Sequence, residues 1–252
     1  MKLAIAGKGG VGKTTLVAQL AREAVGRGYR VLAVDADTDP NLATTLGFPE
    51  PVAPLAEEDE LVAERAGSGG FIRLNPTVDD IPDRYAVTKD GIRLLVLGGL
   101  RGGGDGCACA ANVLLRALLG HLLVKERDAV LVDMEAGIEH LGRGTVRHVD
   151  ALLIVVEGDR KAIETAERTL RLAHDLGIER IFAVGNRIRS DEERTLIADG
   201  LPPEVPLLGV VPYLDAVRAA ALRGPLPEDP LDESIGALWD AIEERMDASV
   251  HE

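Results

Sequence analysis

A short apolar run, Lys2–Ala6, leads straight into Gly7-Lys8-Gly9-Gly10-Val11-Gly12-Lys13-Thr14-Thr15, a complete G-x-x-x-x-G-K-[ST] pattern that opens a helical stretch over Thr14–Arg27. The chemistry of such a loop is phosphate binding. Glycines at 7, 9, 10 and 12 let the backbone curl until successive N–H groups point inward, and the following helix adds its positive end. Gly9, Gly10, Val11, Gly12, Lys13, Thr14 and Thr15 are therefore the expected nucleotide-binding residues. Lys13 is placed to reach the β- and γ-phosphates, and the Thr14 hydroxyl to coordinate Mg²⁺.

Two further runs end in carboxylates. Arg30–Val34 is followed by Asp35-Ala36-Asp37-Thr38-Asp39-Pro40-Asn41, three acids at alternate positions beyond a strand's carboxyl end, where open α/β sheets place their sites. Such crowding suits Mg²⁺ or water handling, and Asp39 or Asn41 would also serve as a helix cap. Ala129–Val132 ends in Asp133, expected to hold the water shell of Mg²⁺. Gly137, four residues on, could turn its N–H toward a γ-phosphate.

Both cysteines lie in Gly102-Gly103-Gly104-Asp105-Gly106-Cys107-Ala108-Cys109, expected as a glycine-rich loop before a helix. A disulfide between residues two apart is strained. Thiolates near a helix N-terminus are acidified, which favours metal ligation or redox chemistry; the remaining reading gives them no role. Two thiolates are half of a four-ligand Zn²⁺ or Ni²⁺ site. A homodimer bringing Cys107 and Cys109 of each chain to a twofold axis is the simplest completion.

The elements that must position these groups follow from apolar runs at Lys2–Ala6, Arg30–Val34, Ile92–Leu97, Ala129–Val132, Ala151–Val156, Arg180–Val184 and Leu207–Val211. Helical patterns lie between most of them: Thr14–Arg27, Ala111–Lys125, Lys161–Leu176, Asp191–Asp199 and Asp215–Leu222. A last helix carries Leu231, Ile235, Leu238, Ile242 and Met246. The expectation is an α/β fold: one P-loop NTPase domain over 1–252, with a mostly parallel sheet of about seven strands and helices on both faces. With 3% aromatic residues the core must be aliphatic, which suits strands buried on both faces. Residues 48–90 carry five prolines, an acidic run and three glycines, and read as an inserted surface excursion with one short helix, either a loop or a partner-facing surface. His140 and His148 read as surface or packing residues, and Tyr29, Phe182 and Trp239 as core.

The formal net charge of −14 argues against a protein that coats nucleic acid or an anionic membrane. No run approaches the ~20 apolar residues that cross a bilayer, and the first residues do not form a signal peptide, so a cytoplasmic protein without a membrane anchor is expected.

GKGGVGKTT resembles the deviant Walker A loop of the MinD/ParA/nitrogenase-iron-protein class. The resemblance implies that Lys8 crosses a nucleotide-sandwiched homodimer to touch the partner's phosphates, beside the catalytic Lys13. It implies that a switch aspartate orients the attacking water. Asp37 stands at that position and also near Mg²⁺, while the Asp-Pro pair of the class falls at Asp39-Pro40, so both acids are candidates. Asn186 and Pro212 are implied to frame adenine. Together with Cys-x-Cys before LLRALL and the segment VDMEAGIEHLGRGT, the chain resembles the CooC-type nickel-insertion ATPases. That implies an ATP-hydrolysing metallochaperone, binding Ni²⁺ or Zn²⁺ through Cys107 and Cys109 at a homodimer interface and delivering it to a nickel enzyme such as carbon monoxide dehydrogenase. Two alternatives stay open. One is a MinD/ParA-like positioning or partition switch without a metal role, against which stands an acidic stretch over 228–252 with one arginine. The other is an iron–sulfur carrier like the nitrogenase iron protein, whose paired cysteines come from separate segments.

Overall fold

The strands are buried on both faces, and this is why they read as nearly unbroken aliphatic runs: every residue of β1 (Lys2–Gly7) and β6 (Ala151–Val156) is out of solvent. The computed structural model describes residues 1–67, 72–98, 106–122, 127–134, 149–223, 226 and 233–247, with the backbone alone at 106–109 and 221–223. The other strands are β2 (Arg30–Ala36), β3 (Val87–Lys89), β4 (Ile92–Val96), β5 (Asp128–Met134), β7 (Ile181–Ile188) and β8 (Leu207–Pro212). They form one sheet in the order β3-β4-β2-β5-β1-β6-β7-β8, parallel except for the β3–β4 pair.

Among the described residues the sheet has eight strands, not about seven. The extra strand, β3, is a three-residue edge strand in a hairpin with β4 around Asp90-Gly91, both at positive φ. That dipeptide is a hairpin signal in the sequence, but three half-exposed residues carry too little pattern to be read as a strand.

Helices α1 (Lys13–Gly26), α2 (Leu42–Leu46) and α9 (Glu233–Asp247) cover one face. The other face holds α3 (Asp59–Ala66), α5 (Gly106–His121), α6 (Arg160–Leu176) and α7 (Asp191–Gly200). The remaining described helices are α4 (Ile81–Tyr85) and α8 (Asp215–Arg223). Ser190 caps α7 by accepting from the Glu193 N–H, while Glu193 Oε2 accepts from the Arg189 N–H one residue before the cap. On the first face Trp239 is fully buried edge-on to Tyr29, with ring centroids 5.4 Å apart.

Residues 48–90 do more than cover surface. A 3-10 turn (Leu55–Glu57), α3 and α4 fold over α5, and Leu55, Leu61, Val62, Ala66, Val78 and Ile81 enter the core beside Leu114, Leu115 and Leu118. Arg65 ties the far end of the stretch back through Asp80, at 2.8 and 3.0 Å. The prolines mask a spaced apolar pattern that is satisfied only once α5 is present.

α5 begins at Gly106, five residues before the expected Ala111, so Cys107 and Cys109 stand in its first turn and not in a preceding loop. Small residues such as Gly, Ala and Cys carry no helical period of their own.

Candidate active site

Strand ends converge at the carboxyl edge of the sheet: Gly7 closes β1, Asp35 lies near the end of β2, Asp133 near that of β5, Asn186 near that of β7, and Pro212 closes β8. Parallel strands deliver their loops to the same edge, and β1 sits where the chain switches from building one side of the sheet to the other.

α1 starts at Lys13 behind Gly12, which adopts φ +91 and offers no side-chain cap, so the first-turn amides stay available to an anion. Gly12 is required twice over, since a Cβ there would also meet Asn186 Nδ2 at 2.5 Å. Lys13 is buried, with its Nζ 3.4 Å from the Lys8 carbonyl, whereas the Lys8 side chain is exposed.

Asp133 is 1% exposed, and neither of its carboxylate oxygens has a hydrogen-bond partner among the described residues. Burial pushes its pKa up to about 7; the Thr14 hydroxyl, which stands nearby without closing a bond, and the Lys13 charge oppose this, while the Asp35 charge adds to it. A buried carboxylate without a donor is costly unless something supplies positive charge. Its two free oxygens beside the Thr14 hydroxyl are the hard oxygen donors that a partly hydrated Mg²⁺ takes, so these residues fit the ion.

The three acids at the end of β2 and just beyond it separate by environment. Asp35 is fully buried and internal: Oδ2 accepts from the Leu42 N–H at 2.9 Å and Oδ1 from the Asp37 N–H at 3.2 Å, which fixes the start of α2 and the loop before it. Burial pushes its pKa up to about 6 against those two bonds. Asp37 is half-buried and accepts from the Asp39 N–H at 3.0 Å, and its charge is felt at Asp133. Asp39 is exposed. Of Asp37 and Asp39, Asp37 is the one whose charge reaches Asp133.

These raised pKa values fix a sign. The folded, nucleotide-free protein keeps protons on Asp133 and Asp35 that the unfolded chain gives up near pH 3.8, so the contribution of these two groups to stability is greatest at low pH and falls as pH rises toward 7. The slope is about 1.4 kcal/mol per pH unit for each proton involved. Asp133→Asn is expected to flatten the decline between pH 5 and 7, as read by denaturant unfolding. An unchanged slope would show that Asp133 is ionised throughout.

On the other side of the loop, a cavity of about 520 Å³ is bounded by Thr15, Gln19, Asn186, Pro212, Tyr213 and Val217, a volume suited to a nucleoside. Arg189 stacks over the Tyr213 ring at 4.0 Å. Asn186 lines this cavity while its Nδ2 donates to the Val11 carbonyl at 2.7 Å. Arg187 donates from Nη1 to the Gly10 carbonyl at 2.7 Å and to Glu157 Oε1 at 3.2 Å. Sequence reasoning did not select Arg187, Glu157, Arg189 or Tyr213. For Arg187 the reason is physical, since a regular strand sends neighbours to opposite faces and would aim it away from Asn186.

The Lys2 ammonium donates to the Leu119 carbonyl at 3.2 Å, which pins the end of α5 beside the start of β1. At 16 residues α5 is about 24 Å long, so its first turn, with Cys107 and Cys109, lies toward the sheet edge that carries the phosphate loop. Gly137, His140 and His148 lie outside the described residues, as do the cysteine side chains. No group of three or more His, Cys, Asp or Glu forms a metal site among the described residues, and none of their helices is long and apolar enough to cross a membrane.

Residues 2–227 match the family described as the CobQ/CobB/MinD/ParA nucleotide binding domain. The carbon monoxide dehydrogenase accessory protein CooC of Rhodospirillum rubrum is 43% identical over 232 residues, spanning 89% of this chain and 88% of that protein. An uncharacterised ATP-binding protein of Methanocaldococcus jannaschii is also 43% identical, over 89% of this chain and 90% of its own. Among solved structures, the fold matches a plasmid partition protein of Borrelia burgdorferi bound to AMPPNP, with a TM-score of 0.69, 17% identity and 98% of each chain covered. It also matches MinD of Pyrococcus horikoshii complexed with Mg-ADP, with a TM-score of 0.67, 22% identity and 97% and 95% covered. The phosphate loop, the acid-lined strand ends and this similarity along nearly the whole chain agree: the protein belongs to the MinD/ParA nucleotide-binding family and is an ATPase of the CooC type.

Proposed function

We propose that this ATPase is a metallochaperone that carries Ni²⁺ on Cys107 and Cys109 of two chains and delivers it to a nickel enzyme such as carbon monoxide dehydrogenase. The observation that carries the reading is the pair of cysteines opening α5 at the nucleotide edge of the sheet, in a chain 43% identical to a carbon monoxide dehydrogenase accessory protein. Two thiolates per chain and a twofold axis make a complete four-sulfur site, which takes Zn²⁺ as well as Ni²⁺. A reducing cytoplasm keeps such thiols free, and the acidic chain binds neither nucleic acid nor a membrane.

In this reading Gly9, Gly10, Val11, Gly12, Thr14 and Thr15 cradle the phosphates of ATP, and Asn186 and Pro212 bound its base. Lys13 stabilises charge on the transferred phosphoryl group, Lys8 reaches into the partner subunit, and Asp37, with Asp39 as the alternative, orients the attacking water. Thr14 and Asp133, with Asp37 nearby, would hold Mg²⁺, which when bound neutralises phosphate charge. ATP favours the closed dimer and hydrolysis the open one, so nucleotide and metal are coupled through one interface.

The test is anaerobic titration with Ni²⁺ and with Zn²⁺, followed by size-exclusion light scattering with and without ATP and Mg²⁺. One metal ion per two chains and a dimer promoted by metal or nucleotide are expected. A nucleotide-driven dimer that ignores metal would overturn the proposal and leave a positioning or partition switch.

A further inference from the structure

We infer that Arg187, braced by Glu157, is a positioning residue for the phosphate loop: with Asn186 it fixes two successive peptide units of the loop and so sets the affinity for ATP. The first observation is backbone. β7 pairs with β8 through a bulge between Asn186 and Ile188, and Arg187 within it adopts φ +58, a left-handed conformation that a side-chain-bearing residue keeps only when its surroundings impose it. The consequence is that two neighbouring side chains, which a regular strand would send to opposite faces, both reach the phosphate loop. Asn186 Nδ2 takes the Val11 carbonyl and Arg187 Nη1 the Gly10 carbonyl, each at 2.7 Å.

The second observation concerns what else holds that peptide. Gly10 is exposed at φ +82, and the space where a Cβ would stand is empty to 4 Å, so packing does not fix it. The Val11 N–H meets the Lys8 carbonyl only at 3.4 Å. The bond from Arg187 is the short contact there. In a planar trans peptide the N–H points opposite to the C=O, so gripping the carbonyls of Gly10 and Val11 sets the directions of the Val11 and Gly12 N–H groups. A loop with four glycines loses much conformational freedom when it closes on phosphate, and a grip made beforehand removes part of that cost from binding. Glu157, at the end of β6, holds the same guanidinium nitrogen at 3.2 Å and keeps it over the loop.

The inference rests on ATP turnover and not on the metal cargo, so its test leaves nickel aside. Arg187→Gly removes the guanidinium while relieving the left-handed backbone, so the melting temperature is expected to stay level or rise. The KM for ATP, and the Kd for ADP by calorimetry, are expected to rise about tenfold, the loss of one charge-assisted hydrogen bond, with kcat within about twofold. Arg187→Lys should return KM to within about threefold of the starting protein, because an ammonium can still donate to the Gly10 carbonyl. A wild-type KM in Arg187→Gly would overturn the inference. So would a KM rise that follows a matching loss of melting temperature and that lysine does not restore.

Discussion

Replacing Lys13 with glutamine is expected to lower kcat for ATP by about a thousandfold or more, roughly 4 kcal/mol of transition-state stabilisation. The side chain is 7% exposed and its ammonium lies within the loop, 3.4 Å from the Lys8 carbonyl. In so dry a place a fixed charge aimed at phosphoryl oxygens acts with little screening, and an amide of similar length leaves that charge uncompensated. The substitution also removes the cation that pulls against burial at Asp133, so that carboxyl should be held protonated to a higher pH still. Nucleotide-driven dimerisation is expected to go with turnover. The assay is phosphate release under saturating ATP and Mg²⁺, alongside light scattering and a thermal melt to show that the variant is folded. Turnover at the starting rate would remove Lys13 from the mechanism.

Stoichiometric Ni²⁺ binding is expected to disappear in the double variant Cys107→Ser, Cys109→Ser, with affinity falling by at least about a thousandfold. Four thiolates supply most of the binding free energy of a soft-metal site, on the order of 10 kcal/mol or more for comparable zinc sites, and neutral hydroxyls do not replace them. Both positions lie in the first helical turn of α5, where serine is accepted as readily as cysteine, so the fold should survive. Anaerobic calorimetry with Ni²⁺, paired with circular dichroism, separates the two effects. Unchanged affinity would place the metal elsewhere and leave the cysteines without this role.

The phosphate loop was legible because everything it needs is consecutive: the strand, the glycines, Lys13 and the helix are set by local spacing. The strands of the parallel sheet were legible for a different reason, since burial on both faces writes them as aliphatic runs such as Ala151–Val156. Signals that depend on distant partners were not. Leu55, Leu61 and Ile81 look like scattered apolar residues among prolines until α5 supplies the surface they cover. Asp35 stood in the sequence only as the first of three alternating acids, and the amides of Leu42 and Asp37 mark it as an internal brace. Arg187 was hidden by the alternation rule that served well elsewhere, because a bulge suspends that rule at one residue.

The placement of β1 at the centre of the sheet has a consequence for how the protein is made. Its neighbours are β5 and β6, with Leu3 opposite Leu131 on one side and Ala151 on the other, so the strand that carries the loop is not flanked on both sides until about 150 residues have followed it. The side chains that grip the loop, from Asn186 and Arg187, come later again, 175 and 177 residues from the carbonyls they hold. At roughly 5–20 residues per second on the ribosome, the glycine loop waits on the order of 8–30 s before its sheet can close. Closing such distant pairings makes folding slow, and an unseated loop cannot hold nucleotide in the meantime. ATP therefore rewards the finished chain alone, and binding it serves as a late seal on folding rather than as an aid to its early steps.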